Sequence, residues 1–231
     1  MTQAPCSFNP AFYSPQDFLE KINDLSEVRA GFVGRVSGVS VDTDREATVE
    51  RLKPVHESAV QALGFEWSQL HRAEQVHGVD IAVVGGSDPS QTWSGVDGLV
   101  TADPGVMLGI YVADCGAVYI VDPVQGGLAL LHSGKKGTEG NITGRAISLM
   151  VEKFGSRPED MLVALAPCIR PPAYEVDFAA EIKRQVVGAG VPELQYVDFG
   201  ICATSDLGAY YSYRVEKGCT GRMLALLGRR A

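Results

Sequence analysis

The chain of 231 residues is poor in histidine, with four, and in tryptophan, with two. Four histidines are too few for a multi-copper cluster. Its five cysteines, at 6, 115, 168, 202 and 219, are odd in number and lack any short regular spacing. That argues against a disulfide scaffold and for a reduced compartment, so the expected location is cytoplasmic. No CxxC, HExxH or Walker-type phosphate loop occurs, so no single regular pattern names a chemistry. Positive charge is also short. The net charge of −8 argues against a nucleic-acid partner, although a locally basic pocket stays compatible with it. No apolar run is long enough to span a bilayer, and the first 18 residues have neither the basic nor the apolar region of a secretory signal. Internal repeats, low-complexity tracts and a dividing linker are absent too. The expected organisation is an N-terminal arm and short helix over 1–30 and one catalytic domain over 31–231.

What is there concentrates between residues 106 and 137. Apolar runs at 106–112, 116–121 and 127–131 are short, bounded by Gly, Pro or Asp, and rich in Val, Ile, Leu and Tyr. They read as buried strands, with a hairpin turn at Asp122-Pro123 and Gly126-Gly127. The pairing brings Cys115 and His132 to neighbouring strand ends. Upstream, His77 sits at the expected start of a further strand. One thiol and two imidazoles at the ends of one sheet could bind a metal, and His77, Cys115 and His132 are the candidate ligands. The plainer alternative is a buried core cysteine with two ordinary histidines.

Elsewhere, Ser14-Pro15 reads as a helix start leading into a helix over 16–25. Residues 31–41 read as a bent strand containing Arg35, either a solvated edge residue or an anion clamp. Residues 44–63 read as a helix that Pro54 kinks or splits, with Gly64 as its stop. Residues 133–138 form a small-residue loop carrying Lys135 and Lys136 ahead of a helix over 139–154, where anion binding and plain solvation are both open. Asp177 caps a helix over 178–187. Residues 160–166 and 194–199 read as strands, and 210–214 with 223–227 as a closing hairpin. Strands outnumber helices, so the predicted class is α+β: mixed β-sheets packed as a sandwich with flanking helices, in α/β/β/α-like layers.

Seven motifs in order carry a family resemblance. They are Gly31-Phe32-Val33-Gly34-Arg35 with Ser37-Gly38-Val39-Ser40, Gln75-Val76-His77-Gly78, Asp97-Gly98-Leu99-Val100-Thr101, Ala113-Asp114-Cys115, His132-Ser133-Gly134-Lys135-Lys136-Gly137, Ala166-Pro167-Cys168-Ile169 with Tyr174-Glu175-Val176, and Tyr211-Ser212-Tyr213-Arg214 with Thr220-Gly221-Arg222. The chain resembles the laccase-domain family, also described as multicopper polyphenol oxidase-like or peptidoglycan editing factor-like. The resemblance implies a metal on His77, Cys115 and His132, zinc with copper as the alternative. It implies zinc-dependent purine nucleoside phosphorylase activity, with adenosine deaminase as a side activity. It further implies an anion-binding role for Arg35, and small-molecule partners, a purine nucleoside and phosphate, with no membrane or nucleic acid. Lys135 and Lys136 stand where the family carries Trp and Arg, and lysine lacks arginine's bidentate geometry. Asp114, beside Cys115, is the candidate proton-handling carboxylate. The competing readings are a polyphenol oxidase-like copper protein, a cysteine hydrolase using Cys115 with a histidine base, and an inactive metal- or nucleoside-binding homologue.

Overall fold

The computed structural model describes residues 19–41 and 44–231. The first 18 residues of the expected N-terminal arm and helix, with the helix start at Ser14-Pro15, lie outside the described residues. Two sheets face one another. The first has the order β1 (Val28–Val33), β11 (Met223–Arg229), β6 (Met107–Val112), β2 (Leu70–Ala73) and β4 (Thr92–Trp93). The second has the order β10 (Tyr196–Asp198), β9 (Leu162–Leu165), β7 (Gly116–Val121), β8 (Leu128–Ser133), β5 (Gly98–Thr101) and β3 (Ile81–Val83). Parallel and antiparallel pairings mix in both sheets.

The alternation of side chains explains why the central strands are apolar without a break. In β7, Ala117, Tyr119 and Val121 face the other sheet, where they meet Phe32, Leu108, Ile110 and Met223. Val118 and Ile120 face the opposite way, beneath Ile147, Met150 and Ile182. Those three residues belong to α4 (Ile142–Phe154) and α5 (Phe178–Gly188). On the outer face of the first sheet, Met107, Leu224 and Leu226 pack under Ala59 and Val60 of α2 (Arg45–Ala62). Both faces of each sheet are thus buried, and a strand buried on two faces reads as a continuous hydrophobic run. The layers are α/β/β/α, with α1 (Glu20–Asn23) packing Ile22 into the inter-sheet core.

Several local expectations are corrected. Pro54 does not split α2, which runs through it from the Asp44 cap. Burial of Leu52, His56, Ala59 and Val60 on either side of Pro54 outweighs the lost backbone bond. The helix over 139–154 is two helices, α3 (Lys135–Glu139) and α4, separated where Asn141 takes φ 60° and its side chain caps Gly144 N. Arg35 lies past the end of β1 rather than within a strand. The hairpin at 210–214 does not form, because β11 pairs with β1 and β6 instead. Tyr210 and Tyr211 are buried plugs, and the following backbone is satisfied by turns, Glu216 N donating to Ser212 O and Gly218 N to Tyr213 O. Among the described residues, no helix is long and apolar enough to cross a membrane.

Candidate metal centre and its cation-lined cavity

The site forms where the chain passes from one sheet to the other. The segment 113–115 joins β6 of the first sheet to β7 of the second, and the segment 74–80 joins β2 to β3 across the same gap. His77 therefore occupies a crossover loop rather than the strand start expected for it. It adopts φ 61°, with Gln75 at 67° and Asp114 at 83°. Five described non-glycine residues have positive φ, and four of them, Gln75, His77, Asp114 and Lys217, line one cavity. Left-handed backbone at such residues costs of order 1 kcal/mol each and gathers where side chains must be aimed. At Asp114 the turn also breaks strand alternation, so it and Cys115 can line the same space.

The ligand atoms of His77, Cys115 and His132 all lie within 4.8 Å of one another. The two imidazoles meet edge to face with centroids 4.8 Å apart. His132 is placed by register, opposite Ala117 on β7, two residues beyond Cys115. Its Nδ1 lies 2.7 Å from Asp97 Oδ1, which leaves Nε2 as the free ring nitrogen. Asp97 is fully buried. It also accepts the backbone N–H groups of Val76 at 3.1 Å, His77 at 2.9 Å and Gly78 at 2.6 Å. One carboxylate thus fixes both the ring of His132 and the loop carrying His77. Burial raises the Asp97 pKa, but the bonds from His132, Gly78 and His77 outweigh it, and the carboxyl sits below its ordinary value. Burial likewise pushes the Cys115 thiol up, and contact with His132 and His77 more than reverses this, favouring the thiolate. His132 is pushed down by burial but held above its ordinary value by Asp97 and Cys115.

Gly134 supplies the room. A Cβ there would lie 2.9 Å from Cys115 Sγ and 3.3 Å from His77 Cδ2, so any larger residue would intrude between two ligands. A half-buried thiolate-forming cysteine, two imidazoles, an orienting carboxylate and this gap fit a zinc ion, with copper also accepted by such ligands.

The cavity beside the triad measures about 790 Å³, within the range of small-molecule sites. Five cations line it: Arg45, Lys135, Arg214, Lys217 and Arg222. Asp114 is the single carboxylate in its lining. A protein of net charge −8 has therefore gathered a positive surface at one place. Arg222 is the most enclosed: burial and then Arg45 disfavour its charge, a state that an incoming anion relieves. Lys135 and Arg214 share Glu175 loosely, at 4.0 and 3.7 Å. Tyr111, Tyr174 and Tyr213 add aromatic surface.

The expected residues divide. His77, Cys115, His132, Asp114 and Lys135 meet in this cavity, whereas Lys136 is exposed and outside its lining. Arg35 is also outside the lining; its Nε donates to Tyr210 O at 3.1 Å and its guanidinium pairs with Glu216 at 2.7 Å. Direct contact with an anion would require that pair to open. Asp114 Oδ2 accepts from Arg214 N at 2.7 Å, while its Oδ1 is buried and unpartnered. Burial raises its pKa. Sequence reasoning missed Asp97, Arg45, Arg214, Lys217 and Arg222 as functional residues. Asp97, Arg214 and Arg222 stood inside recognised motifs, which was the available signal. Arg45 and Lys217 gave none.

The chain is similar to known proteins over most of its length. A family model described as multi-copper polyphenol oxidoreductase laccase matches residues 30–186 and 176–230. A purine nucleoside phosphorylase of Deinococcus radiodurans is 37% identical, with 87% of this chain and 86% of that protein covered. The purine nucleoside phosphorylase YlmD of Geobacillus stearothermophilus is 31% identical, over 88% of this chain and 86% of that one. The crystal structure of YlmD from that organism superposes with a TM-score of 0.81 at 28% identity, covering 90% and 94% of the two chains. A hypothetical protein YfiH of Bacillus licheniformis, at 22% identity and TM-score 0.80, shares the fold, with 88% and 93% covered.

Proposed function

Because the chain belongs to the multi-copper polyphenol oxidoreductase laccase family, and its curated relatives above are named purine nucleoside phosphorylases, we propose that it is a metal-dependent transferase that cleaves purine nucleosides with inorganic phosphate. The observation that carries this reading is the five-cation wall facing a His–Cys–His triad in an otherwise acidic protein. The triad suits zinc, and a bound zinc would supply Lewis acidity for the charge that develops on the departing purine.

In phosphorolysis a phosphate oxygen bonds to ribose C1′ as the C1′–N9 bond breaks. The bonding pair leaves with the purine, which takes up a proton. Arg222 and Arg45 hold the phosphate dianion through charge-assisted hydrogen bonds, and Lys135, Arg214 and Lys217 extend the field that draws it in. Arg35 contributes to anion binding from behind the loop carrying Arg214 and Lys217. Tyr174 and Tyr213 give the base stacking surfaces, worth about 1–3 kcal/mol per base. Asp114 is the proton-handling group, the one carboxylate in the cavity lining, with its pKa raised by burial. The same carboxylate beside the same triad supports deamination of adenosine as a second activity. Both chemistries act on a small molecule.

The test is release of hypoxanthine from inosine by zinc-loaded protein, with and without inorganic phosphate. The reading predicts phosphate-dependent release and ribose 1-phosphate as co-product. Release of free ribose without phosphate would overturn it, and ammonia from adenosine would report the deaminase. Turnover that survives exhaustive chelation would instead indicate Cys115 acting as a nucleophile with a histidine base.

A further inference from the structure

The segment 210–220 has no strand or α-helix, yet it brings Tyr213, Arg214 and Lys217 to the cavity. Something other than a backbone ladder must set its position. Glu216 is the residue to which its bonds converge. Its Oε2 accepts Ser212 N at 3.0 Å and Thr220 Oγ1 at 2.6 Å, joining the two ends of the loop, while its Oε1 meets Arg35 at 2.7 Å. Arg35 is fixed in turn. Its backbone N–H donates to Ala209 O at 2.7 Å and its Nε to Tyr210 O. Its guanidinium lies 4.3 Å over the ring of Tyr211, whose hydroxyl bonds both N and O of Val36 at 3.2 Å. On the cavity side, the loop is tied by Arg214 N to Asp114 Oδ2.

We propose that Glu216 and Arg35 form an ion-pair clamp that positions the loop 212–220 over the cavity, so that Arg35 serves anion binding by holding Arg214 and Lys217 in place and not by touching the anion. Both are positioning residues. The pair has one-fifth or less of each side chain exposed, so it is less screened than a surface bridge. A loop held at both ends by one carboxylate loosens as a unit when that carboxylate is lost.

This inference rests on the phosphorylase reading for its kinetic arm only. The variants Arg35→Met, Glu216→Gln and their combination separate the roles. Each single change is expected to raise KM for inorganic phosphate, at saturating inosine, by about tenfold with kcat altered less than about threefold, and the double variant should match the worse single one. Multiplication of the two effects in the double variant would mean that Arg35 binds phosphate directly and would overturn the clamp. Thr220→Val removes a single bond to Glu216 and covers the case in which a charge variant folds poorly. The second readout needs no turnover. Trypsin cleaves after Arg214 and Lys217, both exposed on this loop, and the clamp predicts cleavage there about tenfold faster in Glu216→Gln than in wild type. Unchanged cleavage would overturn the clamp even if inosine proves not to be a substrate. Absent turnover with accelerated cleavage would sink the phosphorylase reading and leave the clamp standing.

Discussion

The two walls of the cavity are built in opposite ways. The metal-ligand corner is set by strand register and by one buried carboxylate that takes three backbone N–H groups and an imidazole. The cation wall is assembled from α2, α3 and the segment 212–222, and its members meet few partners. Lys135 and Arg214 are about half exposed. Three mutually close ligands must hold their positions to within a few tenths of an ångström, so the chain commits buried hydrogen bonds to them. A phosphate dianion can be gathered by a field and then contacted, so the chain can leave that wall on loops and solvated side chains.

The difference can be sharpened by substitution. The largest effect is expected from Cys115→Ala, which removes one of three ligands; turnover should fall about 10³-fold or more, read in a phosphate-dependent inosine assay. Next comes Asp97→Asn, which replaces an acceptor of four hydrogen bonds by a group with one acceptor oxygen. Metal affinity should fall roughly 10–100-fold, checked by competition with a chromogenic chelator, and thermal stability should fall by about 2–3 kcal/mol. On the other wall the effects are smaller and depend on salt. Arg222→Met should raise KM for phosphate about tenfold or more, and Lys135→Ala only a few-fold, with the Lys135 effect shrinking as ionic strength rises. Neither should change metal content.

A further effect lies outside both walls and leaves turnover at neutral pH untouched. His56 is buried on α2, 5.5 Å from the ring of Tyr111, and burial, with a contribution from Arg72, lowers its pKa from 6.5 to about 3. The folded protein thus refuses a proton that the unfolded chain accepts below pH 6.5. Stability present above pH 6.5 is lost as pH falls from there towards 3. At pH 4.5 the linkage amounts to roughly 2–3 kcal/mol. His56→Leu should flatten that acid limb, as measured by urea unfolding at pH 7 and pH 4.5.

The rigid wall was also the legible one. Buried strands write themselves as continuous Val, Ile, Leu and Tyr runs, so β6, β7 and β8 and the nearness of Cys115 to His132 were readable, as was the layered sandwich. Asp177 capping α5 was readable for a local reason, a side chain satisfying an N–H three residues on. His77 was read as a candidate ligand but misplaced at a strand start, because a left-handed conformation at a non-glycine residue leaves no mark in composition. Asp97 stands 20 residues from His77 and 35 from His132, and only the paired strands bring them together. The cation wall was mostly illegible, since Arg45 and Lys217 look like ordinary solvated charges until the fold converges them, and Arg214 and Arg222 were visible only as motif members. The segment 210–214 misled in the other direction, its tyrosine-rich composition reading as a strand although Tyr210 and Tyr211 serve as plugs and Tyr213 is exposed.

The most direct test of this account is metal content, by elemental analysis, of protein purified without added metal, for wild type, Cys115→Ala and Arg222→Met side by side. The account predicts about one zinc per chain in wild type and in Arg222→Met, and almost none in Cys115→Ala. Equal metal in all three, or none in wild type, would contradict a metal centre at this corner.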